Sequence, residues 1–257
     1  MKNKIITLSA IVIAKNEEER IEKCLESLSF VDEILVIDNG STDTTREKAQ
    51  KQGALVLVKE TNNFSDLRNY GKEKAKGTWI VYIDADEVVP VELQKEIMDL
   101  IGNYKNVESS PKAFYLKRNN IYLGSRWTKF DRMQRLFLKS ALSSWIGPLH
   151  ETAVVEGQMG ELLHPLIHDT HRSLSEMLEK TNQWSQMEAK LRLEAHHPPI
   201  VGWRLIRVMI TGFYRSFVLE EGFKMGTVGW IEGIYQGFSM FITYAKLWEI
   251  QRDRVKM

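Results

Sequence analysis

The 257-residue sequence predicts an α/β fold, an open mixed sheet with flanking helices followed by a helical C-terminal extension. Three observations predict it. The first hundred residues alternate short apolar runs with helical patterns, the sequence form of consecutive βαβ units. Two of those runs end in acidic residues, Asp38 and Asp84, at the strand edge where ligands bind in open α/β sheets. After Pro198 and Pro199 the composition shifts toward Trp, Phe, Tyr, Met and Gly, which puts a boundary there. The expected organisation is a catalytic domain over 1–198 and an extension over 199–257.

The apolar run from Leu8 to Ala14 reads as the first strand. Asn16 is expected to cap the next helix, with Glu19 completing a capping box, and Ile21, Cys24, Leu25 and Leu28 fall on one face that packs on the sheet. Glu33 to Asp38 is the second strand. A helix runs from the Ser41 to Asp43 turn up to Gly53, and Ala54 to Val58 is the third strand. A helix over Ser65 to Lys76 leads into the nearly all-apolar fourth strand, Trp79 to Asp84. Beyond Pro111 the pattern loosens into short strands, Ala113 to Leu116 and Leu136 to Lys139, among aromatic and basic loops. Ser173 to Ala195 reads as a polar-faced helix.

A formal net charge of +1 gives no global pull toward nucleic acid. Cys24 is the only cysteine, so an intrachain disulfide and a cysteine-rich zinc site are excluded, and its expected role is helix packing. Met1 to Lys4 leads directly into a strand pattern without a secretory signal, which predicts a cytoplasmic chain. No uncharged apolar run reaches the roughly 20 residues that span a bilayer.

The chemistry centres on Asp84-Ala85-Asp86 at the end of the fourth strand. Two carboxylates one residue apart can hold Mg²⁺ or Mn²⁺ against a diphosphate, although a D-x-D triplet often merely caps a helix. Asp38-Asn39-Gly40-Ser41-Thr42-Asp43 ends the second strand; a turn and an N-cap account for all of it except Asp38. Ala14-Lys15-Asn16-Glu17 follows the first strand and Arg68-Asn69-Tyr70-Gly71 lies on the third helix.

In this order the four motifs resemble the family 2 inverting glycosyltransferases, which have the GT-A fold. The resemblance implies that Ala14 and Glu17 border the nucleoside, Asp38 pairs with the base edge, Arg68 meets base or phosphate, Asp84 faces the ribose and Asp86 binds the metal. Asn39 stands where many relatives carry a second Asp. Farther along, Gly147-Pro148-Leu149-His150-Glu151, Ile167-His168-Asp169-Thr170-His171, Arg135-Leu136-Phe137 and Tyr244-Ala245-Lys246-Leu247-Trp248-Glu249 look like markers of the lipopolysaccharide-core glucosyltransferases. That resemblance implies UDP-glucose as donor and a lipid-linked saccharide as acceptor.

Either His168 or His171 could complete the metal shell, His168 being preferred because it ends the apolar Leu166-Ile167 pair. An inverting transfer needs a carboxylate opposite the leaving group, and Glu151 is the expected general base, with Asp131 and Glu87 as rivals. Arg126, Arg132 and Arg135 are candidate phosphate or acceptor contacts, or simply solvated. An aspartyl-nucleophile phosphatase would share Asp84-Ala85-Asp86, but on its first strand and with a second acidic motif downstream. A non-catalytic nucleotide-sugar module is the other alternative. A dinucleotide-binding fold would need glycines between Ala14 and Glu19, where there are none.

In the extension, Arg204, Arg207, Thr211 and Arg215 form a polar stripe beside Trp203, Leu205, Ile206, Met209, Ile210, Phe213 and Phe217. Eight Lys or Arg stand against five Asp or Glu from His196 onward. This pattern predicts peripheral binding to an anionic membrane at the inner face of the cell membrane. Gly229, Gly233 and Gly237 would admit a second helix closely. A helical subdomain packed on the core or on a second copy, as a homodimer, is the competing reading.

Overall fold

The computed structural model describes residues 7–105 and 107–255. The chain divides into two compact units, one of Met1–Asn119 with Phe130–His168, the other of Asn120–Lys129 with Asp169–Met257.

The first unit is built on the predicted βαβ pattern. Strands β1 (Leu8–Ala14), β2 (Glu33–Asp38), β3 (Leu55–Val58) and β4 (Trp79–Asp84) are parallel and lie in the order β3-β2-β1-β4. Helices α1 (Ile21–Glu26), α2 (Thr45–Lys51) and α3 (Phe64–Lys74) connect them. All seven residues of β1 are buried, as befits a central parallel strand covered on both faces. One face carries Ala10, Val12, Val81 and Ile83 into a core with Ile21, Leu25 and Leu28. The other packs Ile11, Ile37, Ile80 and Tyr82 against Leu67.

After β4, a short strand β5 (Glu87–Val88) and helix α4 (Val91–Gly102) precede two long strands, β6 (Ala113–Tyr122) and β7 (Ser125–Leu138). Their tip, residues 120–129, groups with the second unit. β7 runs antiparallel to β4, so the sheet is mixed, as expected. Strands β8 (Leu142–Ile146) and β9 (Thr152–Val155) form a separate hairpin, β10 (Met159–Glu161) pairs with β6, and β11 (Leu166–Thr170) pairs with both β6 and β5.

Three expectations change. The short strands placed at Ala113 to Leu116 and Leu136 to Lys139 are the inner ends of ten- and fourteen-residue strands, whose polar outer halves obscured the pattern. Helix α4, with Leu93 and Ile97 buried, was not anticipated. Asn16 does not cap α1, which starts at Ile21; it sits at φ 54°. Its Oδ1 instead accepts a hydrogen bond from the Thr42 N–H (2.8 Å) in the neighbouring loop.

The second unit contains three long helices, α5 (Leu174–Glu194), α6 (Gly202–Tyr214) and α7 (Gly226–Val255), with a π-turn over Arg215–Leu219 and a 3-10 turn over Gly222–Met225. The boundary expected at residue 198 falls inside this unit, between α5 and α6. Tyr235 on α7 donates to the Met177 carbonyl (2.9 Å), and Lys246 reaches the Asn182 carbonyl (2.5 Å), which ties α7 to α5. Among the described residues, no helix is long and apolar enough to cross a membrane.

Candidate active site

Strand register brings the candidate residues to one edge. Ala14 lies beside Asp38 across β1 and β2, and Ile13 beside Asp84 across β1 and β4. The carboxyl ends of three adjacent parallel strands thus carry Ala14, Asp38 and Asp84 side by side, in the location where open α/β sheets receive ligands.

Two loops at this edge are stapled together. The N–H groups of Asn16, Glu17 and Glu18 donate to Ser41 Oγ (2.9 Å), Thr45 Oγ1 (2.8 Å) and Asp43 Oδ2 (3.2 Å). In return, Glu18 Oε2 accepts from the Thr44 hydroxyl (2.6 Å). Ser41, Asp43 and Thr45 therefore satisfy backbone donors that the turn leaves open. Asn39 is part of the same frame, with its Oδ1 accepting from the Thr61 N–H (2.9 Å).

Asp38 is 0% exposed. Its Oδ2 accepts from the N–H groups of Gly40 (3.2 Å) and Ser41 (3.1 Å), with Arg46 Nε at 3.5 Å. Among the described residues its Oδ1 has no hydrogen-bond partner. A buried acceptor left unpaired costs about 1–3 kcal/mol, so such an atom at a strand edge is suited to a donor brought by a ligand.

The fourth-strand carboxylates are embedded in arginines. Asp84 receives Arg135 through Nη1 (3.1 Å) and Nη2 (2.5 Å), and Arg68 Nη2 at 3.3 Å. Burial opposes the charge on Asp84, yet Arg135 and Arg68 outweigh it and hold the carboxyl well below its ordinary range. Arg135 is only 1% exposed and also pairs with Glu87 (3.0 Å). It is thus neither solvated nor a surface contact for phosphate. Arg118 reaches the same Glu87 (3.4 Å) and holds Asp131 (2.8 Å). Glu87 is fully enclosed and also accepts the Asp84 N–H (2.9 Å), so it is a brace and not a base open to an acceptor.

Arg68 extends the chain of charges, its Nε donating to Glu151 Oε1 (2.5 Å). The guanidinium lies over the rings of Trp145 (4.9 Å) and Tyr82 (5.5 Å). Asn69 anchors this arrangement by a reciprocal pair with the Trp145 backbone, at 2.9 and 2.8 Å. The loop before Glu151 bends through Gly147 (φ 97°) and His150 (φ 55°), and the Phe64 N–H donates to Pro148 O (3.0 Å). Among the described residues, Arg68 Nη1 is buried without a hydrogen-bond partner.

Asp86 Oδ2 lies 3.2 Å from His168 Nε2 because β5 and β11 pair with His168 opposite Glu87. Arg20 Nη1 bridges Asp86 (3.7 Å) and Glu17 (3.0 Å). A carboxylate oxygen and an imidazole nitrogen this close suit a divalent cation that takes its other ligands from a diphosphate and water. Among the described residues, no group of three or more His, Cys, Asp or Glu side chains forms a protein cage. The alternative, His171, lies in the second unit, with its Nδ1 3.1 Å from Glu232 Oε2. Of the other arginines, Arg126 is exposed, whereas Arg132 pairs with Glu161 (3.0 Å) and stacks on Tyr115.

The structure thus joins Arg68, Asp84 and Glu151 in one network and Glu17, Arg20, Asp86 and His168 in another, with Asp38 two strands from Asp84 along the same sheet edge. It adds Arg118, Trp145 and Tyr82, which sequence patterns missed. The one available signal was Arg135 itself, a charge opening the buried strand segment Leu136-Phe137-Leu138.

The pattern of the family described as glycosyl transferase family 2 matches residues 9–148. A protein of Rickettsia felis, named as an uncharacterized glycosyltransferase, is 28% identical over 255 residues, covering 94% of this chain and 89% of its own length. The lipopolysaccharide core biosynthesis glycosyltransferase LpsC of Rhizobium meliloti is 25% identical over 255 residues, covering 95% and 93%. Among solved structures, glucosyl-3-phosphoglycerate synthase from Mycobacterium tuberculosis, in complex with phosphoglyceric acid, superimposes with a TM-score of 0.49 at 21% identity, over 75% of this chain and 81% of that one.

Proposed function

This chain belongs to glycosyl transferase family 2, and from that premise we propose that it inverts the anomeric carbon of a hexose, glucose from UDP-glucose, as it moves the sugar to a hydroxyl of a lipid-linked saccharide. The acceptor fits lipopolysaccharide core assembly, as the name of the Rhizobium relative suggests. The work is done at an anionic membrane surface on the cytoplasmic side.

The observation that carries the reading is the pairing of a buried, half-satisfied Asp38 with an arginine-held Asp84 on one sheet edge. Asp38 Oδ1 would accept the N–H of a uracil edge, with Ala14 and Glu17 bordering the nucleoside. Asp84, fixed by Arg135, presents a rigid acceptor to the ribose hydroxyls. Arg68 Nη1 offers a buried donor to phosphate, where fixed positive charge favours the departing diphosphate. Asp86 and His168 would hold Mg²⁺ or Mn²⁺, which when bound supplies further charge neutralisation on the leaving group.

Glu151 is the general base in this reading. Its carboxylate takes the proton of the acceptor hydroxyl while that oxygen bonds to the anomeric carbon, and the sugar–phosphate C–O bond breaks with its electron pair leaving on the diphosphate. Arg68, bound to Glu151 Oε1 and to Asp84 Oδ1, sets the carboxylate relative to the donor side.

The test is a screen of UDP-, GDP- and other nucleotide-sugars for donor hydrolysis and transfer with Mn²⁺, run on the wild type and on Glu151→Gln. The variant should keep donor affinity within a few fold while transfer falls by about two to four orders of magnitude. Unchanged transfer moves the role to another carboxylate, and lost donor binding makes Glu151 a donor-site residue. Donor binding without hydrolysis or transfer to any acceptor would favour a non-catalytic module.

A further inference from the structure

Glycines draw α6 and α7 into unusually close contact. A Cβ on Gly237 would lie 2.8 Å from the Met209 carbonyl oxygen, and one on Gly212 would lie 2.8 Å from the Gln236 carbonyl oxygen. At the turn end, a Cβ on Gly229 would lie 1.8 Å from the Gly222 oxygen. With backbones this near, the side chains flanking the seam on both helices merge into one surface. The rings show the continuity, since Trp230 of α7 lies 4.3 Å from Phe217 and 5.8 Å from Phe213, centroid to centroid.

The surface so formed is apolar and open. On α6, Ile206 and Ile210 are each 62% exposed, and Trp203 is exposed beside them. On α7, Ile234 is 61% exposed, and Trp230 and Phe238, each four residues from it, are exposed on the same side of the helix. Contiguous apolar surface of this kind on a soluble face marks an interaction site. Its surroundings state the partner's charge, because from Gly202 to Leu219 the chain carries Arg204, Arg207 and Arg215 and no acidic residue. Arg204 and Arg207 sit over the Trp203 ring at 5.6 and 5.2 Å, an indole and guanidinium pair suited to a headgroup layer.

We propose that the membrane-binding element is the two-helix face itself, with α7 inserting as deeply as α6, and that its occupant is an anionic bilayer. This rests on the reading of the chain as acting at a membrane, and it changes the element from a single amphipathic helix to a hairpin whose docking surface exists only when the glycine seam is closed. Trp203, Ile206 and Ile210 with Trp230, Ile234 and Phe238 would lie in the interfacial layer, and the arginines would meet acidic headgroups.

The experiment is co-sedimentation of the full chain with vesicles of phosphatidylcholine alone or of equal parts phosphatidylcholine and phosphatidylglycerol. The test variant, Trp230→Ser with Ile234→Ser and Phe238→Ser, leaves α6 untouched and alters only exposed positions. The wild type should bind the anionic vesicles, and the triple variant should bind roughly tenfold or more weakly. Gly233→Leu, which opens the seam beside Phe213 without changing any exposed apolar side chain, should weaken binding as well. Wild-type binding in the triple variant would overturn the two-helix face in favour of α6 alone. No vesicle binding by the wild type, with a dimer in sedimentation equilibrium that the triple variant dissolves, would overturn it in favour of a second copy. UDP affinity with Mn²⁺, measured by calorimetry on the same variant, should be unchanged; its loss in the wild type would count against the transferase reading and not against this one.

Discussion

Replacing Arg135 by Met tests whether the buried arginine hub organises the site. Arg135 is 1% exposed and neutralises two carboxylates, Asp84 at 2.5 Å and Glu87 at 3.0 Å. Removing one member of a buried ion pair costs about 3–5 kcal/mol, because the remaining charge is stranded in low dielectric. Here each carboxylate keeps a second arginine, Arg68 for Asp84 at 3.3 Å and Arg118 for Glu87 at 3.4 Å. The lower end applies, about 3 kcal/mol, or a fall in Tm of about 6–12 °C for a domain of this size. Methionine fills much of the space, so a cavity adds little.

The pH dependence separates this account from general damage. Arg135 and Arg68 hold the Asp84 carboxyl below its ordinary value of 3.8 against the opposing effect of burial. A depressed carboxylate stabilises the fold fully above the unfolded value, and that contribution is lost as pH falls toward the folded one. The gap between wild type and Arg135→Met should therefore be full at pH 7 and narrow below about pH 4, by up to about 1.4 kcal/mol per pH unit. Guanidinium unfolding at pH 7 and pH 3 measures it. A difference under about 1 kcal/mol at pH 7, or the same difference at both pH values, would refute the reasoning.

Three further outcomes are expected. Asp86→Ala should abolish metal-dependent UDP binding in calorimetry with Mn²⁺ and cost about 1–3 kcal/mol in the unfolding curve, because His168 at 3.2 Å and Arg20 at 3.7 Å lose a mostly buried carboxylate partner; wild-type affinity would remove Asp86 from the metal site. Gly71→Ala should lower stability by about 1–3 kcal/mol, because its new methyl would lie 2.5 Å from Ile11 Cγ2 between α3 and the sheet; a raised Tm would show that the helix can retreat. Burial, reinforced by Glu87, Asp86 and Asp84, pushes the Cys24 thiol well above its usual value, so native protein should react with Ellman's reagent only as fast as it unfolds, and rapid labelling at pH 8 would contradict the packing.

Much of the sheet and half of the site were legible in the residues. Continuous apolar runs of strand length mark β1, β2 and β4 locally, and once those strands are parallel neighbours their last residues must meet at one edge. Asp38, Asp84 and Asp86 could be placed for that reason. Gly233 and Gly237 likewise mark a close helix contact in the sequence, whereas Gly229 meets the Gly222 oxygen of the preceding turn. What the pattern could not supply was the identity of the contacting helix, α6, or the extent of β6 and β7, whose outer halves lack a continuous apolar face.

From Leu8 to Asp84 the sequence by itself determined the order of strands and helices and the chemical types at their ends, because these depend on residues within one or two turns of each other. Only the tertiary structure decided which charges are paired. Arg135 meets Asp84 across 51 residues, Asp86 meets His168 across 82 and Arg68 meets Glu151 across 83. Those meetings follow from β7 lying antiparallel to β4, from β11 pairing with β5, and from Asn69 holding the Trp145 strand against α3. A buried charge tolerates no unpaired state in low dielectric, so Arg135, which in sequence could equally have been a solvated or phosphate-binding residue, becomes the internal counter-ion around which the site is arranged.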